Sequence, residues 1–160
     1  MRLNRFYLAA ALILLPAGPA FAQDGEREID GWTLVDDGES CAMSRLNDDS
    51  NGLTMLHDGK SGTDAMAFIR LDLGDVVNDR TETLQISVDG SEWLDISAQG
   101  MVLEGGASGF RIQGFPIAEF AAADHSGELR FRRGGKVIHS FPMDDMRRAT
   151  EALVACGKKY

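Results

Sequence analysis

Cys41 and Cys156 are the only cysteines in this chain of 160 residues, and they stand near opposite ends of it. In an oxidising compartment an even cysteine count reads as a disulfide framework, and two cysteines allow one intramolecular pairing. A Cys41–Cys156 bond closes most of the chain into a single loop. In the chain-entropy description a loop of about 100 residues gains about 4.7 kcal/mol, less any strain. A fold that satisfies the bond must bring an early segment against the last one. The spacing is not C-x-x-C, so a redox pair is the lesser reading.

The N-terminus supplies the compartment. MRLNRFYLAAALILLPAGPAFAQDG carries Arg2 and Arg5, then an unbroken apolar run from Phe6 to Leu15. Pro16, Gly18 and Pro19 interrupt any helix, and Ala20-Phe21-Ala22 is a small-x-small cleavage pattern. Residues 1–22 therefore read as a signal peptide, with Gln23 as the first mature residue. A spanning helix needs about 20 apolar residues, which this run does not reach. The style of the signal points to a bacterium, so the expected location is the periplasm or beyond, as a secreted protein. No stable membrane span is expected after signal cleavage.

Removing residues 1–22 takes away two of the 16 basic residues and none of the 25 acids, so the formal net charge moves from −9 to −11. Such a surface repels nucleic acid and anionic lipid, and no nucleic-acid partner is expected. Residues 23–30, QDGEREID, read as a flexible acidic lead-in. Residues 31–160 have the length of a single domain with a sizeable core.

Within that domain the pattern is of short strands. Runs at 31–36 and 40–45 flank Asp37-Gly38, a hairpin signal. Leu53–His57 follows a polar turn. In 65–73 the alternation sets Ile69, Leu71 and Leu73 on one face and Arg70 and Asp72 on the other. Thr83–Val88 alternates with Leu84, Ile86 and Val88 inward, then turns at Asp89-Gly90 into Glu92–Ile96. Met101–Leu103 and Gly109–Ile112 are shorter candidates. Glu128–Arg132 and Lys136–Ser140 flank Gly134-Gly135, another hairpin. A short helix is expected near 115–123 and a C-terminal helix near 142–156. In that last helix Met146, Ala149, Leu153 and Cys156 share an apolar stripe, Pro142 opens the first turn and Gly157 caps the end. Eighteen glycines suit the many turns. The fold class expected is mainly β, an antiparallel sandwich or partly open barrel.

Motifs with chemistry are few. Asn47, Asp49, Asn51 and Asp58 fit part of a calcium loop, but with Asn at the first position and Asp at the last; a solvated turn is the plainer reading. Gly59-Lys-Ser-Gly62 lacks the upstream glycine of a phosphate loop. His57, His125 and His139 have no zinc-ligand spacing, and no serine lies in G-x-S-x-G, so the histidines read as surface or hairpin residues and no catalytic residue is assigned. The sharpest feature is Arg130-Phe-Arg-Arg-Gly-Gly-Lys136. Arg130 and Arg132 share one strand face with Phe131 opposite. With Arg133 and Lys136 they set four positive charges on one hairpin of an acidic protein. That hairpin either docks an acidic partner or a phosphate-bearing surface, or is an edge protected from aggregation by its charges.

The two ends of the mature chain resemble a bacterial secreted family. Trp32 precedes Cys41-Ala-Met43, and the end runs Phe141-Pro-Met143, then Ala149–Leu153, then Cys156. In this the chain is similar to the invasion-associated locus B family of alphaproteobacterial periplasmic or surface proteins, over residues 31–45 and 137–156. The resemblance implies a disulfide-bonded, β-rich domain with no established catalytic residues. Some members are associated with host-cell entry, but many come from free-living bacteria, so invasion is not carried over. The function expected is non-enzymatic binding in the periplasm or cell envelope, with an unknown protein or envelope ligand as partner and no cofactor. The alternative is a small periplasmic protease inhibitor, for which a stapled β scaffold is suitably rigid. An envelope hydrolase is a further alternative that lacks a recognisable nucleophile or metal motif.

Overall fold

The computed structural model describes residues 25–46, 51–58, 60–61, 63–71, 73–123, 125–143 and 145–160. The signal peptide assigned to residues 1–22 lies outside them. Ten strands follow in order: β1 (Glu26–Ile29), β2 (Trp32–Asp36), β3 (Cys41–Leu46), β4 (Gly52–Asp58), β5 (Thr63–Arg70), β6 (Thr81–Val88), β7 (Leu94–Val102), β8 (Ser108–Gln113), β9 (Glu128–Arg133) and β10 (Lys136–Pro142). Among the described residues there are two helices, α1 (Ile117–Ala122) between β8 and β9, and α2 (Met146–Gly157) after β10. The expected mainly β, antiparallel architecture is present. All ten strands form one open sheet, in the order β1-β2-β3-β4-β5-β8-β7-β6-β9-β10.

Local chemistry makes the hairpins. Asp30-Gly31 and Gly134-Gly135 each hold positive φ at both residues, as two-residue hairpin loops matched to strand twist require, and Asp89-Gly90 holds the same geometry in a turn within the longer β6–β7 connection. The first of these corrects the lead-in: Glu26–Ile29 is a strand paired with β2, not a free acidic tail. Other boundaries differ too. The two runs expected at 92–96 and 101–103 are one strand, β7, which passes through Gly100 because a segment crosses there. A Cβ on Gly100 would lie 2.4 Å from the Val77 carbonyl oxygen. On β5 Met66 and Phe68 are fully buried on one face, and Ala65 and Ile69 are buried on the other, Ile69 as expected; Leu71 lies past the strand end and is exposed. Arg70 therefore shares the Phe68 face, and its Nη1 donates to the Ile138 carbonyl at 3.0 Å.

Ring contacts show how the sheet closes on a core without sealing its edges. Phe68 on β5 stacks on Phe131 of β9, with centroids 4.3 Å apart, and Trp32 on β2 meets Phe141 on β10 at 5.4 Å. Neither pair is on neighbouring strands, so the sheet is folded over on itself. Trp32, Met43, Leu53, Met55, Phe68, Leu84, Phe110, Leu129 and Phe141 are fully buried between its halves.

α2 covers the inner side of β2, β3 and β4. Met146, Ala149, Leu153 and Cys156 are buried along one stripe, as expected. Its start differs from expectation: Pro142 ends β10, and the helix begins at Met146. A proline donates no hydrogen bond, which an edge strand tolerates. Gly157 is the last helical residue, not a cap beyond it, and Lys158 follows in αR geometry. Cys156 in the last turn bonds Cys41 on β3, with Cα atoms 6.0 Å apart. Among the described residues no helix is long and apolar enough to cross a membrane.

Candidate binding face

Strand parity divides the basic hairpin between two environments. On β9, Leu129 and Phe131 face the core, so Arg130 and Arg132 face outward, as expected. There they meet Trp93, which precedes β7. The Arg132 guanidinium carbon lies 4.4 Å from the Trp93 ring centroid and that of Arg130 lies 5.2 Å away, both in cation–π range. Register brings in two further side chains. Gln85 on β6 is opposite both Arg132 on β9 and Asp95 on β7. Arg132 Nε donates to Gln85 Oε1 at 2.5 Å, and Gln85 Nε2 donates to Asp95 Oδ1 at 2.7 Å. The result is a ladder of one carboxylate, one amide, two guanidiniums and one indole on the outer face. Among the described residues neither Arg130 nor Arg132 is ion-paired with a carboxylate.

Arg133 is elsewhere. It has the parity of Phe131 and turns toward the core end, where Nε and Nη2 grip Glu82 at 2.7 and 2.9 Å. Its Nη1 reaches Asp75 at 2.8 Å, and its guanidinium sits 5.6 Å from the Phe110 ring. Its charge is neutralised within the fold, so it does not join Arg130 and Arg132. Lys136 is exposed at the start of β10 without a carboxylate partner among the described residues. Trp93, Gln85 and Asp95 were not singled out from the sequence, because only the pairing of distant strands puts them beside β9.

Of the candidate calcium set, the two described members, Asn51 and Asp58, stand apart. Asn47 and Asp49 lie outside the described residues. Asn51 and Asp58 flank β4 at its two ends, roughly 20 Å apart for an extended strand. The Asp58 carboxylate instead caps a turn, accepting from the N–H groups of Lys60 and Ser61 at 3.0 Å and from Ser61 Oγ at 2.6 Å. The Ser61 hydroxyl and N–H hold its pKa below the usual value.

The histidines are held in three different ways. His57 Nδ1 lies 2.6 Å from Asp64 Oδ1 across β4 and β5, and Asp64 Oδ2 accepts the Ile117 N–H at 3.2 Å. An oriented His–Asp pair resembles part of a triad, but among the described residues no hydroxyl bonds His57, and the nearby cysteines are joined. His125 sets Nδ1 against Asp89 and Nε2 against the Phe120 carbonyl, both at 2.9 Å. Burial works to raise the Asp89 pKa, but the contacts from His125 and the Gly127 N–H win and lower it. His139 is buried, stacked on Phe68 at 5.2 Å, and its Nε2 has no hydrogen-bond partner among the described residues. Burial, helped by the charge of Arg70, lowers its pKa to about 4. Asp36, Cys41 and Cys156 place ligand-type atoms within 4.8 Å of one another, but the bonded sulfurs offer no thiolate.

Comparison of the chain with protein-family models, with curated proteins and with solved structures gave no match.

Proposed function

We propose that this is a non-enzymatic binding protein of the periplasm or cell envelope, allied to the invasion-associated locus B proteins, that docks an acidic partner on the outer face of β9. The observation that carries the reading is the ladder. Two guanidiniums stack against one indole on a chain of net charge −9, and neither is ion-paired with a carboxylate of the described residues. Guanidiniums held flat on an aromatic ring are preorganised, so less side-chain freedom is lost when a carboxylate arrives. Aromatic and arginine side chains are also the residues that most often dominate interface energies. Lys136 adds a third positive charge at the turn, while Arg133 has a structural part.

The test is charge reversal. The full chain is expressed in its own host, crosslinked lightly, and the envelope proteins that come down stoichiometrically are quantified. Arg130→Glu with Arg132→Glu should reduce capture at least about tenfold, the scale of one lost charge-assisted contact. The melting temperature should hold, because both side chains are at the surface. Undiminished capture by the reversed chain sinks the reading. Mass spectrometry of the same material checks the leader, with a first residue of Gln23 as the expected result.

A further inference from the structure

The outer face that carries the ladder continues across β6, β7 and β8 into a separate concavity of about 240 Å³, lined by Thr81, Ser97, Gln99, Arg111 and Gln113. Register puts three of these in one row. Gln99 on β7 lies opposite Thr81 on β6 and opposite Arg111 on β8. Adjacent strands are about 4.8 Å apart, so the row offers a hydroxyl, an amide and a guanidinium at regular, short intervals. The β5 residues opposite Arg111 and Gln113 are Ala67 and Ala65, whose short side chains leave that flank low.

The polar groups are ordered before any ligand arrives. Gln99 Nε2 donates to Asp79 Oδ1 at 3.2 Å, and this turns Gln99 Oε1 toward Arg111, whose Nη2 donates to it at 2.5 Å. Among the described residues the buried Arg111 Nε has no partner, and no carboxylate pairs with the guanidinium. A guanidinium partly withdrawn from water and left without a counter-ion is unfavourable, and an oxyanion at its open edge relieves that cost.

The lining also defines what would fit. It contains no apolar side chain and no carboxylate. The volume falls below the roughly 300 Å³ at which drug-sized pockets begin. A simple aliphatic acid would satisfy Arg111 and leave the amides and hydroxyls unmatched; a neutral sugar would do the reverse. We propose that this concavity binds a hydroxyl-rich carboxylate of the hexuronate class. Arg111 takes the carboxylate, and Thr81, Ser97, Gln99 and Gln113 take ring hydroxyls. The ligand is either a free sugar acid or one unit of an acidic polysaccharide. Thr81 and Gln85 are four residues apart on β6, roughly 13 Å, so a polymer of such units would extend from this pocket toward Trp93. The pocket shares no side chain with the ladder, and its test stands apart from charge reversal at Arg130 and Arg132.

The experiment is an amide-resonance titration of the mature chain with sodium glucuronate and sodium galacturonate. Glucose, acetate and inorganic phosphate are the controls, and trigalacturonate is a further arm. Uronates should shift the resonances of residues 97–99 and 111–113, with glucose, acetate and phosphate each at least about tenfold weaker. Arg111→Gln should weaken uronate binding by a similar factor. Ser97→Phe, which fills the pocket from an exposed position, should abolish it and serves if the arginine variant does not fold. Trigalacturonate binding much more tightly, with Trp93 also shifting, identifies the polymer as the source. Equal affinity identifies the free acid. Three results would each overturn the proposal: no shift in these residues at roughly 100 mM uronate, phosphate or acetate binding as well as uronate, or Ser97→Phe binding unchanged.

Discussion

His139 has a ring stacked nearly parallel to Phe68, at 7°, and a buried nitrogen with no hydrogen-bond partner among the described residues. In the unfolded chain the same ring titrates near 6.5, and in the fold its pKa is about 4. Between those values the unfolded state binds a proton that the native state refuses, so stability falls as pH is lowered through the window and is fully present above it. The shift corresponds to about 3 kcal/mol. Chemical denaturation at pH 7, 5.5 and 4 should show a loss of that order, and His139→Phe should flatten the profile while raising stability at the acid end. A profile unaltered by His139→Phe would assign the acid sensitivity to other groups. Asp36 contributes in the same direction at lower pH. The Tyr160 hydroxyl and then the Lys159 ammonium hold its pKa at about 2, and the Asp36 carboxylate in turn raises that of Tyr160. Stability from this contact is present above the ordinary aspartate range and is lost as pH falls toward 2. Neither group was legible in the sequence. Whether a histidine on a short strand points in or out depends on strand parity, and the bulge between Val137 and His139 resets that parity locally.

Strands and helices were more open to reading. The β6 alternation, with Leu84 and Ile86 buried, follows from period-two patterning alone. The α2 stripe follows from its helical period, and Leu153→Ala should cost about 2–5 kcal/mol by cavity formation, measured by urea denaturation. The misplaced boundaries have a common cause. Pro142 suits a helix start and an edge strand alike, and Gly100 interrupts an alternating strand pattern while permitting a chain crossing; in both, a distant segment decides. Gly157 is a further instance. A Cβ there would lie 2.0 Å from the His57 ring, so the glycine is needed for contact between α2 and β4 and not for a turn. Gly157→Ala should therefore destabilise the domain by more than a helix-end glycine otherwise would, and should displace the His57 ring from Asp64. NMR of the imidazole resonances would report it. An unmoved ring would show that α2 yields instead.

For the molecule as a whole, the cysteine count was the most informative part of the sequence. It predicted the Cys41–Cys156 bond, and with it the packing of the last helix on an early strand. The candidate site was legible only in part. Arg130 and Arg132 could be placed on one face from β9 alone, but Trp93, Gln85, Asp95 and the Arg111 pocket needed the strand order β8-β7-β6-β9, in which β6 to β8 run against their order in sequence and β6 comes to lie beside β9. Native alkylation should find no free thiol, and replacing both cysteines with alanine should lower stability by about 4–5 kcal/mol on the chain-entropy estimate.

The same bond has a mechanical consequence. It joins positions 115 residues apart, so tension applied at the chain ends passes through the sulfurs and bypasses everything between them. Only residues 25–40 and 157–160 can be drawn out of the oxidised domain, about 70 Å of contour at extended-chain spacing. The remaining strands, and with them the outer face of β6–β9, stay unloaded. In a single-molecule pulling experiment the oxidised domain should lengthen by little more than the peeling of β1 and β2, whereas the reduced domain should release several hundred ångströms. Under such tension the β1–β2 hairpin strains while the outer face of β6–β9 keeps its geometry.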